Sequence, residues 1–462
     1  MPDGALNICN DRIMEASSGG CVPSGPAAAY MERCREALDT GLLKTPAYRS
    51  WRKFDSPFSM PFKRLAGLPV MDKAVMRRFG PRGLAPGGSG LDAALSSGAA
   101  GLVRTSGSTG DAVENVWCQE WWDASESASW RLNSHFSGMR HGVEREALLA
   151  SPLCVGLRSE DKPLSAKQRS LGRFLFLNER VDPADWEPAQ MRRMTGELNS
   201  FEPAVLDANP SYLARLCRFI MKEGMEVKSP RMITLTYENC SLLHIKQISS
   251  VFKCPAASSY GSTETGYVFM QCEHGNYHQN TEFCHVDFIP FAQRHGGPRL
   301  GSLLVTVFDH PWRSLLRFDI GDTAMLAEKP CPCGRQEGLT LSSIEGRAVN
   351  VTVTADGGRA VTQAALDRAI SAAPGLEDYQ LLQTSADSYL LRYSGGAEQD
   401  ALFQILRGVY GRNARLRFER AETLSPDPPG KYRLSKPLFP LSVKEFWDPA
   451  LTPPLNPDSD KL

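Results

Sequence analysis

Apolar residues recur along this chain at two spacings, and the dominant spacing changes with position. After Asn209-Pro210, the residues Leu213, Leu216, Phe219 and Ile220 repeat at helical intervals, which predicts a helix with one core-facing side. Ala27 to Leu38 predicts another helix, with acidic and basic flanks. Met232 to Glu238 predicts a short buried strand that ends on a carboxylate. That carboxylate is either a site residue or a surface cap. The runs Ala147 to Leu153 and Phe174 to Glu179 predict strands on either side of a polar loop rich in Lys and Arg. Val116 to Leu132 predicts a strand that continues as a helix, its tryptophans in the core rather than stacked on a cofactor.

Beyond Pro374 the pattern shortens. YQLLQ, SYLLRYS and ARLRFER predict short strands, and the segment Ala401 to Gly411 predicts a helix among them. That is a small α+β unit. The fold class expected is α/β: a large N-terminal domain of sheets and helices over 1–345, then a small C-terminal domain over 346–462, with the boundary at Ile344 to Arg347. The Gly/Pro-rich stretch Gly80 to Gly90 predicts a loop, and the tail Leu451 to Leu462 a loose end. The first ~25 residues predict a poorly packed lead-in.

Composition narrows the class. A chain of 462 residues has material for two or more domains and a large core. Its 42% hydrophobic content is that of a globular chain. The 52 basic side chains balance 52 acidic ones, which gives no field for nucleic acid or membrane partners. No apolar run reaches membrane-spanning length, and the N-terminus lacks a signal-peptide pattern. Twelve scattered cysteines fit reduced thiols and a cytoplasmic location better than a disulfide framework.

Three segments carry candidate chemistry. The first is Val103 to Asp111, where Thr105, Ser106, Gly107, Ser108, Thr109 and Gly110 form a loop of hydroxyls and glycines. Such a backbone can cradle phosphate oxygens, although a plain turn has the same composition. The run Gly98 to Val103 before it predicts a buried strand, which would put the loop at a strand end. The second is Cys254 to Gly266, with Ser259, Tyr260, Gly261, Ser262, Thr263 and Glu264. A tyrosine ring can stack on a base, a threonine hydroxyl can reach a phosphate, and a carboxylate can hold Mg²⁺. The third is Leu315 to Leu326, where Asp319 and Asp322 stand among apolar residues. A carboxylate at a strand end can accept both hydroxyls of a ribose. Each alone also reads as a surface turn, but the order and wide spacing of all three are harder to reach by chance.

In that order the segments resemble the adenylate-forming superfamily of acyl- and aryl-CoA synthetases. TSGSTG resembles its phosphate loop, YGSTE its adenine, phosphate and magnesium motif, and RFDIGD its ribose motif. EGRAVNV (Glu345 to Val351) resembles the hinge before a small mobile C-terminal domain, and PPGKYRLSK (Pro428 to Lys436) the late lysine motif. NPSYLARL, Tyr237-Glu238 and CPCGR are similar to the phenylacetate–CoA ligase-like branch.

The resemblance implies that ATP and a carboxylic acid, aromatic or otherwise planar, form an acyl-adenylate with loss of pyrophosphate. The acyl group then passes to CoA, a carrier-protein thiol or an amine. It assigns Thr263 to the α-phosphate, Glu264 to Mg²⁺, Tyr260 to adenine, Asp322 to ribose and Arg347 to a ribose or phosphate contact. Lys431 would clamp the carboxylate and α-phosphate, with Lys436 as the other candidate. A homodimer is compatible with this reading. Cys272, Cys331, Cys333 and His278, with His274 as the alternative nitrogen ligand, offer three thiolates and an imidazole for a structural zinc. Ordinary reduced cysteines in two loops are the simpler alternative.

Two departures bear on turnover. Relatives commonly follow the phosphate loop with Pro and Lys, where this chain has Asp111-Ala112-Val113, so that either ATP binds weakly or Arg104 compensates. The hinge reads Gly346-Arg347-Ala348-Val349-Asn350, without the acids relatives carry there. A ligase that passes its adenylate to an amine or a carrier therefore competes with CoA transfer. Two further alternatives are a degenerate relative that binds nucleotide or acid without turnover, and an unrelated α/β protein with a structural zinc.

Overall fold

The computed structural model describes residues 28–105, 113–150, 164–179, 185–426, 431–454 and 456–458. The fold is mixed α/β. Contacts divide the chain into two compact units. One comprises the chain up to Ser134, Tyr260–Ser343 and the chain from Lys444; the other comprises His135–Ser259 and Ile344–Val443. The chain crosses from one unit to the other after Ser134, Ser259, Ser343 and Val443.

In the first unit, the strands Cys284–Pro290, Leu300–Val307 and Phe318–Leu326 pair antiparallel. Leu300–Val307 is buried at every position, as a central strand covered on both faces should be. Arg317 enters the Phe318–Leu326 strand with φ 45° and is fully buried. Its guanidinium pairs with Asp287 at 3.3 Å and donates to the carbonyls of Ala66 (2.6 Å) and Leu68. Those bonds hold the Ala66–Leu68 segment to the sheet. Met71 continues the docking: its N–H donates to Arg317 O at 3.0 Å, and its carbonyl accepts from Asp319 N–H at 2.8 Å. The helix Lys73–Leu84, capped by the Asp72 carboxylate on Val75 N–H at 3.0 Å, thus starts beside the RFDIGD strand.

In the second unit, Phe174–Phe176, Glu146–Leu148, Val205–Ala208 and Met232–Leu235 pair parallel, with Ala256–Ser258 next to the last. The helix Pro210–Glu223 buries Leu213, Leu216, Phe219 and Ile220 in this core, the face its spacing predicts. A four-stranded sheet follows, in the order Arg415–Arg420, Ser388–Gly395, Leu376–Ser385, Ser435–Pro437. Its core includes Leu366 from the helix Gln363–Ile370 and Leu402 and Leu406 from Gln399–Tyr410.

Three local expectations change. The strand Gly101–Thr105 pairs, among the described residues, with Val113–Trp117 alone, and Leu102 is 47% exposed. A run of Gly and Ala lacks the bulk to fill a sheet interior. The stretch from Gly80 is not loop throughout, because the Lys73–Leu84 helix continues through a kink at Gly80 (φ 60°) and Pro81. The described part of the tail packs: Asn456 donates to Val70 O at 2.9 Å, and the Asp458 carboxylate accepts from Ser50 at 2.7 Å.

Candidate active site and metal centre

The YGSTE segment ends one strand of a hairpin, Ala256–Ser262 with Gly266–Gln271. Two glycines set its shape. A Cβ on Gly261 would lie 2.1 Å from the carbonyl oxygen of Gly266. Gly266 has φ 68°, and a Cβ there would meet the Trp121 ring at 2.7 Å. Only glycine permits both close approaches. Trp121 is core, as predicted, and its indole N–H donates to Phe308 O at 2.9 Å.

Tyr260 and Asp322, separated by more than sixty positions, meet directly: the phenol donates to Asp322 Oδ2 at 2.8 Å. Asp322 is 6% exposed. Nearby, Asp319 accepts from Gly321 N–H at 3.0 Å. Burial raises its pKa, with Asp72 and Asp322 adding to the rise and Lys444 opposing it.

Glu264 is buried, and Lys73 Nζ stands 3.2 Å from its Oε1. Burial pushes the Glu264 pKa up and the Lys73 ammonium pulls it down; the balance lies below the ordinary carboxylate value. The main chain is held too, since Arg313 donates to Glu264 O. Burial lowers the Arg313 pKa to about 10, and Glu264 opposes the shift. The carboxylate at the YGSTE turn is thus an ionised group with a lysine as counter-charge. A hard dication that prefers oxygen fits that chemistry.

The other predicted residues fall as follows. Ser262 and Thr265 hydroxyls bond at 3.0 Å, and Thr263 is half-buried in the turn between them. Ser259 has an enclosed hydroxyl with no hydrogen-bond partner among the described residues. Thr105 ends the strand Gly101–Thr105. Ser106, Gly107, Ser108, Thr109 and Gly110 lie outside the described residues. Arg347 and Lys431 belong to the second unit, and both are half-buried. Glu238 has a clear structural role there. Its carboxylate accepts the N–H of Ser211 at 2.9 Å and that of Tyr432 at 3.0 Å.

Sequence reasoning missed Lys73 and Arg313. Lys73 is a lone lysine just after a helix cap, and no spacing ties it to a carboxylate nearly two hundred positions away. Arg313 sits two residues before the Leu315 to Leu326 segment, where only its burial would mark it.

The metal candidates do converge. One ligand atom from each of Cys272, His278, Cys331 and Cys333 lies within 4.8 Å of all the others. Sulfurs that share a tetrahedral zinc stand roughly 3.8 Å apart. The Cys272 and Cys331 sulfurs are 3.6 Å apart, and Cys333 Sγ is 3.1 Å from His278 Nε2. His278 Nδ1 lies 3.4 Å from the Thr340 hydroxyl, which leaves Nε2 toward the sulfurs. Burial, with Arg335 nearby, lowers the His278 pKa to about 4, so the ring is neutral and able to ligate. Asn276 Nδ2 (3.2 Å, to Cys331) and His274 N–H (3.4 Å, to Cys272) point at the sulfurs. Three sulfurs and one neutral imidazole fit a structural zinc.

The fold is similar to that of a solved acid–CoA ligase. A solved structure of 2-hydroxyisobutyryl-CoA ligase in the postadenylation state, complexed with 2-HIB-AMP, superposes with a TM-score of 0.62 at 15% identity, covering 89% of this chain and 90% of that one. An open conformation of the same ligase with 2-HIB-AMP and CoA gives a TM-score of 0.52 at 16% identity, over 88% of this chain and 92% of that one. In sequence, protein CapK of Staphylococcus aureus is 25% identical over 247 residues, 52% of this chain and 54% of CapK. The match thus spans about half of that relative's length. No protein-family model matches the chain.

Proposed function

We propose that the protein activates a carboxylic acid with ATP, forming an acyl-adenylate and pyrophosphate, and passes the acyl group to a thiol or an amine. The observation that carries this reading is the gathering of Tyr260, Asp322, Glu264 and Lys73 in one unit of an adenylate-forming fold. Asp322, steadied by the Tyr260 phenol, accepts the ribose hydroxyls, and the Tyr260 ring covers the adenine. Thr263 bonds the α-phosphate. Mg²⁺ held by Glu264 supplies charge neutralisation at the phosphates. Lys73, released from Glu264, remains as a mobile cation beside them. The protein's contribution is positioning and fixed charge, the main needs of an in-line attack on phosphorus.

Lys431 is the late lysine of this scheme. It brings its charge to the reacting carboxylate and α-phosphate when the small C-terminal domain that begins at 346 closes. Within the superfamily, CPCGR and the three-sulfur, one-nitrogen cluster favour the phenylacetate–CoA ligase-like branch, with zinc as a structural metal. CoA, a carrier thiol and an amine are the acceptor classes, and the altered hinge favours the latter two. Pyrophosphate release on mixing the protein with ATP, Mg²⁺ and a panel of aromatic and short hydroxy acids tests the reading. Release that depends on one class of acid supports it, and none with any acid refutes it.

A further inference from the structure

A helix leaves its first N–H groups without partners, and something must accept them. In the helix Pro210–Glu223 the N–H of Ser211 is taken by one carboxylate oxygen of Glu238. A cap needs no more than that. The second oxygen of the same carboxylate instead accepts the N–H of Tyr432, the residue after Lys431, at 3.0 Å. Both bonds lie within the second unit.

The backbone is bent to make this possible. Tyr237 has φ 73°, and Glu238 N–H bonds back to Thr236 O at 2.9 Å, closing a three-residue turn. A tight turn centred on a bulky residue at positive φ is rare and strained. Tyr237 is also 53% exposed. Strain of this kind persists where the surroundings over-determine it, and it clusters at functional sites.

Tyr432 is fixed at its other end as well. Its hydroxyl donates to Tyr379 O at 3.0 Å, and its ring meets His244 edge-on at 5.7 Å. The chain then runs into Ser435–Pro437, which pairs with Leu381–Gln383. Lys431 is therefore one peptide away from a residue anchored at amide, ring and hydroxyl. Of those three anchors, only the amide bond depends on Glu238.

We propose that Glu238 is a positioning residue that sets the main chain of Lys431 through the Tyr432 amide. The inference rests on the reading of Lys431 as the adenylation lysine. Glu238 does not touch substrate; it fixes where the lysine starts. Small misplacements of a reacting group can lower rates on the order of a hundredfold.

The test is a double-mutant cycle with Glu238→Gln and Lys431→Ala, read as acid-dependent exchange of pyrophosphate into ATP. Glutamine keeps one oxygen for a single N–H and turns its NH₂ toward the other. Glu238→Gln alone is expected to lower the exchange rate by one to two decades without changing ATP affinity. In the Lys431→Ala background it is expected to add no further loss. A purely structural cap would give additive losses or a matching fall in ATP affinity, and either result overturns the proposal. Amide hydrogen exchange at Tyr432 supplies a second readout that needs no acid. Glu238→Gln must speed exchange there, and an unchanged Tyr432 amide overturns the anchoring. If the wild type shows no exchange with any acid while the Tyr432 amide does respond, the adenylation reading has failed, and the lysine-positioning role falls with it.

Discussion

The Tyr260 phenol donates a 2.8 Å hydrogen bond to Asp322 Oδ2, joining the tyrosine of YGSTE to the second aspartate of RFDIGD. Two motifs that lie far apart in the chain thereby share one polar contact. Replacing Tyr260 with Phe should retain the ring and lose the orientation of Asp322. We expect AMP and ATP affinity to fall about tenfold, the effect of about 1.4 kcal/mol for one hydrogen bond to a charged group. Asp322→Ala should reduce it much further. Calorimetric titration with AMP checks both, and unchanged affinity in Tyr260→Phe would remove the phenol from the site.

The Lys73–Glu264 pair predicts a pH-dependent stability difference. The Glu264 pKa is depressed, so its contribution is full above the ordinary carboxylate value and is lost as pH falls through the folded one. Lys73→Met removes the ammonium and leaves a buried carboxylate uncompensated. The variant should therefore melt below wild type at neutral pH, and the gap should close as acid protonates Glu264. Melting curves from pH 7 downward test this. A gap that widens on acidification would contradict the pairing.

Zinc removal should unfold part of the first unit. We expect about one zinc per chain and a lower melting temperature after chelation, because metal binding energy is folding energy in such a site. Cys331→Ser should lose the metal and reproduce the chelated melting curve. Elemental analysis of protein purified without added metal decides the matter. A metal-free chain of full stability would show that the cluster of Cys272, His278, Cys331 and Cys333 is only four neighbouring side chains.

Much of the local structure was legible because its signals are local. The helical spacing of Leu213, Leu216 and Ile220 states which face is buried, and that face is the one in the core. The four metal candidates stand in two short segments and are singled out mainly by the resemblance, and their ligand atoms lie within 4.8 Å of one another. What could not be read depends on pairings distant in sequence. Lys73 reaches Glu264 only because Arg317 and Met71 dock its helix to the sheet, and no periodicity encodes that. Glu238 is a cap or a site residue on equal terms until Tyr432 is seen to donate to it. The tail looks loose in composition, yet Asn456 spends its side chain on the carbonyl of Val70.

In the proposed scheme, Lys431 distinguishes the two half-reactions. Lys431→Ala should cut adenylate formation a hundredfold or more, the effect of losing a charge that acts only in the transition state. It should spare nucleotide binding, and it should spare transfer from a chemically made acyl-adenylate. Lys436, paired in a strand opposite Leu382, is the control. Loss of adenylation in Lys436→Ala but not in Lys431→Ala would reassign the role.

The central claim is reversible formation of an acyl-adenylate, and isotope exchange reads it most directly. Labelled pyrophosphate is mixed with the protein, ATP, Mg²⁺ and one acid at a time, with no thiol or amine acceptor present. The account predicts label in ATP only when a suitable acid is present, and its loss in Glu264→Gln. Label that enters ATP without any acid, or never enters with any, would contradict it.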